Sequence, residues 1–312
     1  MAERTVIQVV PAQETLEGAG VKIRRTIGSP NLKQHDPFLL LDEFKSADRD
    51  DYGAGFPEHP HRGFETVTYM LAGEMQHTDH LGHTGNISAG GVQWMTAGRG
   101  IVHSEMPKQE DGLMWGFQLW INLPSALKMC EPRYQDIPAA AVPVKILDGG
   151  VTVRVIAGQS SDVIGPVQDI ITEPIYLDVA IPLGFSFQQK IPAGYNACCY
   201  VFEGEAMIGA NTTGIDSAAG TGRLVVLSDG DHVSIQAAAC ATRLLLLAAK
   251  PIGEPVARYG PFVMNTSAEL HQTFMDYQRT GFGEWPWDCD DPVNPADQGR
   301  FARHADGRID TP

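Results

Sequence analysis

An all-β fold of two similar domains, each a sandwich or barrel, is what this sequence predicts, and three observations predict it. Apolar and polar residues alternate with a period of two over run after run, the pattern of half-buried strands. The 312 residues include 33 Gly and 21 Pro, enough punctuation for many short elements joined by turns. A short pattern also recurs: "YMLAGEM" from Tyr69 and "YVFEGEA" from Tyr200 both run aromatic, apolar, apolar, variable, Gly, Glu. The offset from Tyr69 to Tyr200 is 131 residues, about one small barrel domain, so duplication is the natural reading. The division predicted is an N-terminal domain over 1–140 and a C-terminal domain over 141–312.

Six segments carry the strand pattern: "ETVTYMLAGEM" (65–75), "GVQWMT" (91–96), "FQLWINL" (117–123), "VTVRVIAG" (151–158), "IYLDVAI" (175–181) and "RLVVLSDGDHVSI" (223–235). One helix is expected late in the chain. Thr266 and Ser267 precede Glu269 as a capping box does, Leu270, Phe274 and Tyr277 share a face, and Gly281 stops the run. That helix would cover an open barrel face. The tail from Gly283 is polar and interrupted by Pro, and is expected to wrap the surface.

Charge and composition narrow the function. The net charge of −15 repels a phosphate backbone, and the densest basic cluster, "VKIRR" at 21–25, is too short to offset it, so no direct nucleic-acid binding is expected. "LLLLAAK" from Leu244 falls far short of the ~20 residues a bilayer requires, so no membrane span is expected. The N-terminus "MAERTVIQVV" has no apolar signal core, and five Cys is an odd number for a disulfide framework. Both point to a cytoplasmic protein. Adjacent Cys198 and Cys199 on a strand would point to opposite faces, one into the core and one to the surface.

Two matched pairs carry the chemistry. His59 with His61, and His103 with Glu105, stand two residues apart, so each pair shares a strand face. Neighbouring strands lie ~4.8 Å apart, close enough for four such groups to converge on one ion. A lone His is more often hydrogen-bonded than ligating, but four candidates in two pairs favour a metal. Three imidazoles and a carboxylate suit Fe, Ni, Cu, Mn or Zn. Glu65 keeps the parity of His59 and His61 and rivals Glu105 as the carboxylate. A further cluster, "HTDHLGH" (His77, Asp79, His80, His83), lacks strand parity and reads as a solvated hairpin or a rim near the site, with a second ion site as the sharper alternative. The 131-residue offset carries His59 to Lys190, His61 to Pro192, His103 to Ser234 and Glu105 to Gln236, so the second domain would hold no metal.

The pattern Gly-x5-His-x-His-x3-Glu from Gly53 to Glu65 resembles the first motif of the cupin superfamily, and "GGVQWMTAGRGIVH" resembles the second. Thr96 departs from the usual Pro, and the interval from Gly98 to His103 is longer than the common one. Those departures are similar to the pirin branch. The resemblance extends over "RRTIGSPNLKQHDPFLLLDEF", "HPHRGFETVTYMLAGEMQHTD", "GFQLWINLP" and "YGPFVMNT".

The resemblance implies a bicupin, two antiparallel, jelly-roll-like β-barrel domains with metal in the N-terminal barrel only, held by His59, His61, His103 and Glu105; it thereby favours Glu105 over Glu65. It implies one divalent ion, Fe(II) first, with Ni, Cu, Mn, Co or Zn as substitutes. It further implies a quercetin 2,3-dioxygenase-like enzyme opening a flavonol with O2 and releasing CO, with Glu105 as catalytic base. The alternative it implies is an iron-binding, redox-sensitive regulator acting through a protein partner.

Overall fold

The computed structural model describes residues 2–209, 217–295, 297–304 and 306–311, and the chain divides into two compact units. A C-terminal unit is built from Met1–Gln13, Thr26–Pro37 and Ala141–Ile252; an N-terminal unit comprises Glu14–Arg25, Phe38–Ala140 and Gly253–Pro312. This partition differs from a single cut at 140/141, and pairing explains why. The strand Val6–Pro11 pairs with Arg223–Leu227, which takes the start of the chain into the C-terminal unit. The helix and tail bond to elements of the N-terminal unit, as described below.

Among the described residues each unit holds two larger antiparallel sheets and one two-stranded hairpin, and the larger pair is the arrangement expected of each half of a bicupin. In the N-terminal unit the seven-stranded sheet runs in the order Arg133–Ile137, Val92–Thr96, Phe64–Ala72, Met114–Asn122, Phe38–Ser46, Val21–Arg25, Gln13–Glu17. Its six-stranded sheet runs Ile309–Asp310, Ala302–Arg303, Thr84–Ser88, Glu74–Asp79, Ile101–Pro107, Phe56–His61. Ile23, Phe44 and Met70 from the first sheet pack with Met75 and Ile87 from the second in one buried cluster.

The C-terminal unit repeats this order. Asn196–Glu203 stands third in its seven-stranded sheet, between Arg223–Leu227 and Thr242–Ala249, as Phe64–Ala72 stands between Val92–Thr96 and Met114–Asn122. Both repeat strands end at a glycine in the left-handed region, Gly73 at φ 82 and Gly204 at φ 75. The chain there leaves one sheet for the other, and a Cβ would meet Gln109 Oε1 at 2.3 Å or the Ala241 carbonyl at 2.1 Å. The recurring Gly-Glu therefore marks the corner of each unit.

The helix spans Ser267–Thr280, with Thr266 and Glu269 forming the expected capping box and Gly281 closing it at φ 57. Phe274 and Tyr277 pack edge-on to Phe262 in the hairpin Ala257–Tyr259/Phe262–Met264. Arg62 ties the helix to the barrel through Asp276 at 2.8 Å. The tail adds strands to the six-stranded sheet, where Ala302 pairs with Gly85.

All five cysteines are free, and Cys198 and Cys199 are both buried, so neither faces solvent as the strand parity suggested. Cys199 packs in the core cluster of the C-terminal unit, and Cys198, on the other face of the strand, is 0% exposed as well. Among the described residues, no helix is long and apolar enough to cross a membrane. The basic run Val21–Arg25 is a strand whose Arg25 is taken by Asp42 and Glu17.

Candidate metal centre

Strand Phe56–His61 puts His59 and His61 on one face, and Ile101–Pro107 lies antiparallel beside it with His103 directly opposite His59. One ring nitrogen from each of the three histidines lies within 4.8 Å of the others. The rings are 4.4 to 4.9 Å apart.

His103 is 0% exposed, and neither of its ring nitrogens has a hydrogen-bond partner among the described residues. An unpaired buried donor or acceptor costs about 1–3 kcal/mol, so two on one ring call for a ligand that the imidazole can meet. His59 Nδ1 stands 2.8 Å from the Pro57 carbonyl, so it donates there and leaves Nε2 as a lone pair toward the cluster. His61 Nδ1 is buried without a hydrogen-bond partner among the described residues. Burial holds all three imidazoles below their usual pKa, and at His61 and His103, which lie far below, the neighbouring rings add to it. They are therefore neutral, the form that ligates a metal. The donor set fits a divalent cation.

Glu105 stands outside this group. Past His103 the two strands slip by one residue, and Glu105 lies opposite Phe56. The slip is a β-bulge, which re-aims the side chains that follow it. The Glu105 carboxylate accepts from Thr68 Oγ1 at 2.9 Å and from Gln118 Nε2 at 2.9 Å. Burial raises its pKa, and those two hydrogen bonds oppose the rise. With His59 and His61 it lines a cavity of about 630 Å³, walled also by Phe56, Met75 and Trp120.

Glu65 is excluded by the backbone. The strand ends at His61 and the next begins at Phe64, with Gly63 at φ 88 between them, so the parity argument does not cross. Glu65 then lies on the opposite face of its strand from Thr68 and accepts from Thr96 Oγ1 at 2.7 Å. Burial pushes its pKa up to about 6.

The "HTDHLGH" stretch is not a solvated loop. His77 and Asp79 belong to the strand Glu74–Asp79, in which Gln76, His77, Thr78 and Asp79 are all buried. Their polarity is satisfied: His77 Nε2 meets Tyr134 Oη at 3.1 Å, and Asp79 binds His83 Nδ1 at 2.7 Å. His77 lies opposite Glu105 in the ladder, and its ring is 4.9 Å from that of His103. It is a neighbour of the centre, and no second ion cluster forms among the described residues.

Thr68 and Gln118 were not foreseen as part of the site. The signal was present: Gln118 shares a strand face with Trp120, and both line the cavity. In the C-terminal unit, Ser234 pairs with Gln188 and His232 with Lys190. The strand pairs equate Gln188 with His59 and Lys190 with His61, two residues short of the sequence offset because the loops differ in length. No imidazole pair occupies that place.

The family model described as Pirin matches residues 20–121, and that described as Pirin C-terminal cupin domain matches 176–283. A "Pirin-like protein" of Caulobacter vibrioides is 48% identical over 283 residues, 90% of this chain and 100% of the relative. Human "Pirin" is 41% identical over 284 residues, 90% of this chain and 95% of its own. A crystal structure titled as quercetin 2,3-dioxygenase from Acinetobacter baumannii superposes with a TM-score of 0.82 at 33% identity, covering 91% of this chain and 99% of that one.

Proposed function

The chain belongs to the pirin family, and from that premise we propose that it is a metal-dependent dioxygenase that opens a flavonol such as quercetin with O2 and releases CO. The observation that carries the reading is His103, fully buried with two unpartnered nitrogens between two further histidines at the wall of a ligand-sized cavity. The likeness to the Acinetobacter quercetin 2,3-dioxygenase structure supports the reaction class.

A divalent ion, Fe(II) first and Ni, Cu, Mn, Co or Zn as substitutes, would supply Lewis acidity toward the flavonol 3-oxygen, and the redox-active ones, unlike Zn, would also offer a route for electrons to O2. His59, His61 and His103 hold it as neutral donors, and the bond from His59 to the Pro57 carbonyl fixes that ring's tautomer. Glu105 is assigned the 3-hydroxyl proton. Its burial-raised pKa strengthens it as a base, while Thr68 and Gln118 hold the carboxylate in place. Glu105 is assigned to the ion as well, as a fourth donor, a reading supported by the cavity it lines together with His59 and His61. Phe56, Met75 and Trp120 give planar rings an apolar seat.

The test is direct. The purified chain, loaded with each ion in turn, is given quercetin and air while flavonol absorbance, O2 uptake and CO are followed. Equal loss of flavonol and O2 with matching CO supports the reading. No turnover with any of the ions transfers the site to the regulatory reading.

A further inference from the structure

The metal cavity carries a second chemical feature, one that the ligand set does not use. Arg25 and Arg258 both line it, and they are placed very differently. Arg25 grips Asp42 through a two-toothed fork, Nε to Oδ1 at 2.8 Å and Nη2 to Oδ2 at 2.6 Å, and also binds Glu17 at 2.7 Å. Its charge is answered twice over. The Arg258 guanidinium makes one hydrogen bond, Nη1 to the Leu39 carbonyl at 3.0 Å. Among the described residues no carboxylate lies within ion-pair distance of it.

A guanidinium has five donors in a planar fork, so most of those of Arg258 remain for a visitor. Asp42 and Glu17 act on Arg258 through space, but both are engaged by Arg25. Position matters as much as charge. The Arg258 guanidinium carbon sits 4.8 Å above the Trp120 ring, and the Trp120 ring is 5.2 Å from that of His61. One aromatic side chain thus joins the arginine to the metal-binding histidines. A flat ligand lying along Trp120 would have one end at the histidines and the other at the guanidinium.

We propose that Arg258 recognises an anionic oxygen of the ligand, a carboxylate or an ionised phenol, beside Trp120 in the cavity that His59 and His61 also line. The substrate class follows: planar aromatic acids or acidic polyphenols, in preference to neutral rings of the same shape. Arg258 discriminates by charge-assisted, forked hydrogen bonding, which a neutral ligand does not complete. This rests on the reading of the cavity as a ligand site, but not on oxygen chemistry at it.

The experiment is calorimetric titration of 2-naphthoate and its neutral isostere 2-naphthamide into the full chain, once stripped of metal by a chelator and once loaded with Zn(II). The wild-type protein is expected to bind 2-naphthoate at least tenfold more tightly than the amide in both forms. R258Q should erase that preference, and R258K, which keeps the charge but loses the planar fork, should retain only part of it. Equal binding of acid and amide by wild-type protein overturns the proposal, and needs no variant to fold. A preference seen only with Zn(II) and unchanged in R258Q also overturns it, since the ion would then be reading the carboxylate. Failure of flavonol turnover, by contrast, leaves these titrations intact and falls on the dioxygenase reading alone.

Discussion

Replacing His103 with Leu should stabilise the metal-free protein while abolishing its response to metal. His103 is 0% exposed and both its nitrogens are unpartnered, so in the stripped protein it is a buried polar group without compensation. Removing that penalty with an apolar side chain of similar size is worth about 1–3 kcal/mol. At ~2–4 °C per kcal/mol for a unit of this size, the melting point rises by about 2–12 °C. Zn(II) at a hundredfold excess over its Kd stabilises a competent site by about 2.7 kcal/mol. Wild-type protein should show that gain and His103→Leu should not, so the order of stability narrows or reverses when the ion is added. The assay is thermal or urea denaturation after chelator dialysis, repeated with Zn(II). A stripped variant that melts below stripped wild type, or one that gains as much from Zn(II), refutes the reasoning.

Glu105→Gln should keep its bound metal but lose turnover by about a hundredfold or more, the usual contribution of a general base; elemental analysis and flavonol kinetics on one preparation decide it. Glu65→Gln should leave metal content and turnover unchanged, because Glu65 faces Thr96 across the sheet. Lys128 is 1% exposed and donates to the carbonyls of Gly63 and Val263 and to Asn122, and burial lowers its pKa from 10.5 to about 8. The unfolded chain therefore binds the extra proton between pH 8 and 10.5, so this group makes the fold more stable as pH rises through that window. The gain is up to about 3 kcal/mol, and urea titrations at pH 8 and pH 10 should show it in wild type and not in Lys128→Met.

The pairs His59/His61 and His103/Glu105 were legible because strand parity is a local property, and the first pair with His103 converges as that parity requires. What parity misses is where a strand ends. Gly63 breaks the run between His61 and Glu65, and nothing in counting by twos reveals that. The slip beyond His103 is hidden for the same reason, since it depends on the partner strand. His77 and Asp79 read as a loop because polar residues are usually exposed, whereas Tyr134 and His83, distant or across a turn, satisfy them in the interior. The repeat at Gly73 and Gly204 was visible, but as a strand entering a tight hairpin; each glycine instead carries the chain from one sheet to the other, which depends on the partner strands. The helix was visible from its caps, but its attachment to the N-terminal unit rests on Arg62 and Phe262, which no local pattern connects to it.

The central claim is that the three histidines hold one ion, and counting metal per chain tests it most directly. Protein reconstituted with Fe(II) without air and then desalted should carry about one ion per chain. His61→Leu and His103→Leu should carry almost none, and Glu65→Gln should match wild type. Retention of a full equivalent by both histidine variants would contradict the claim.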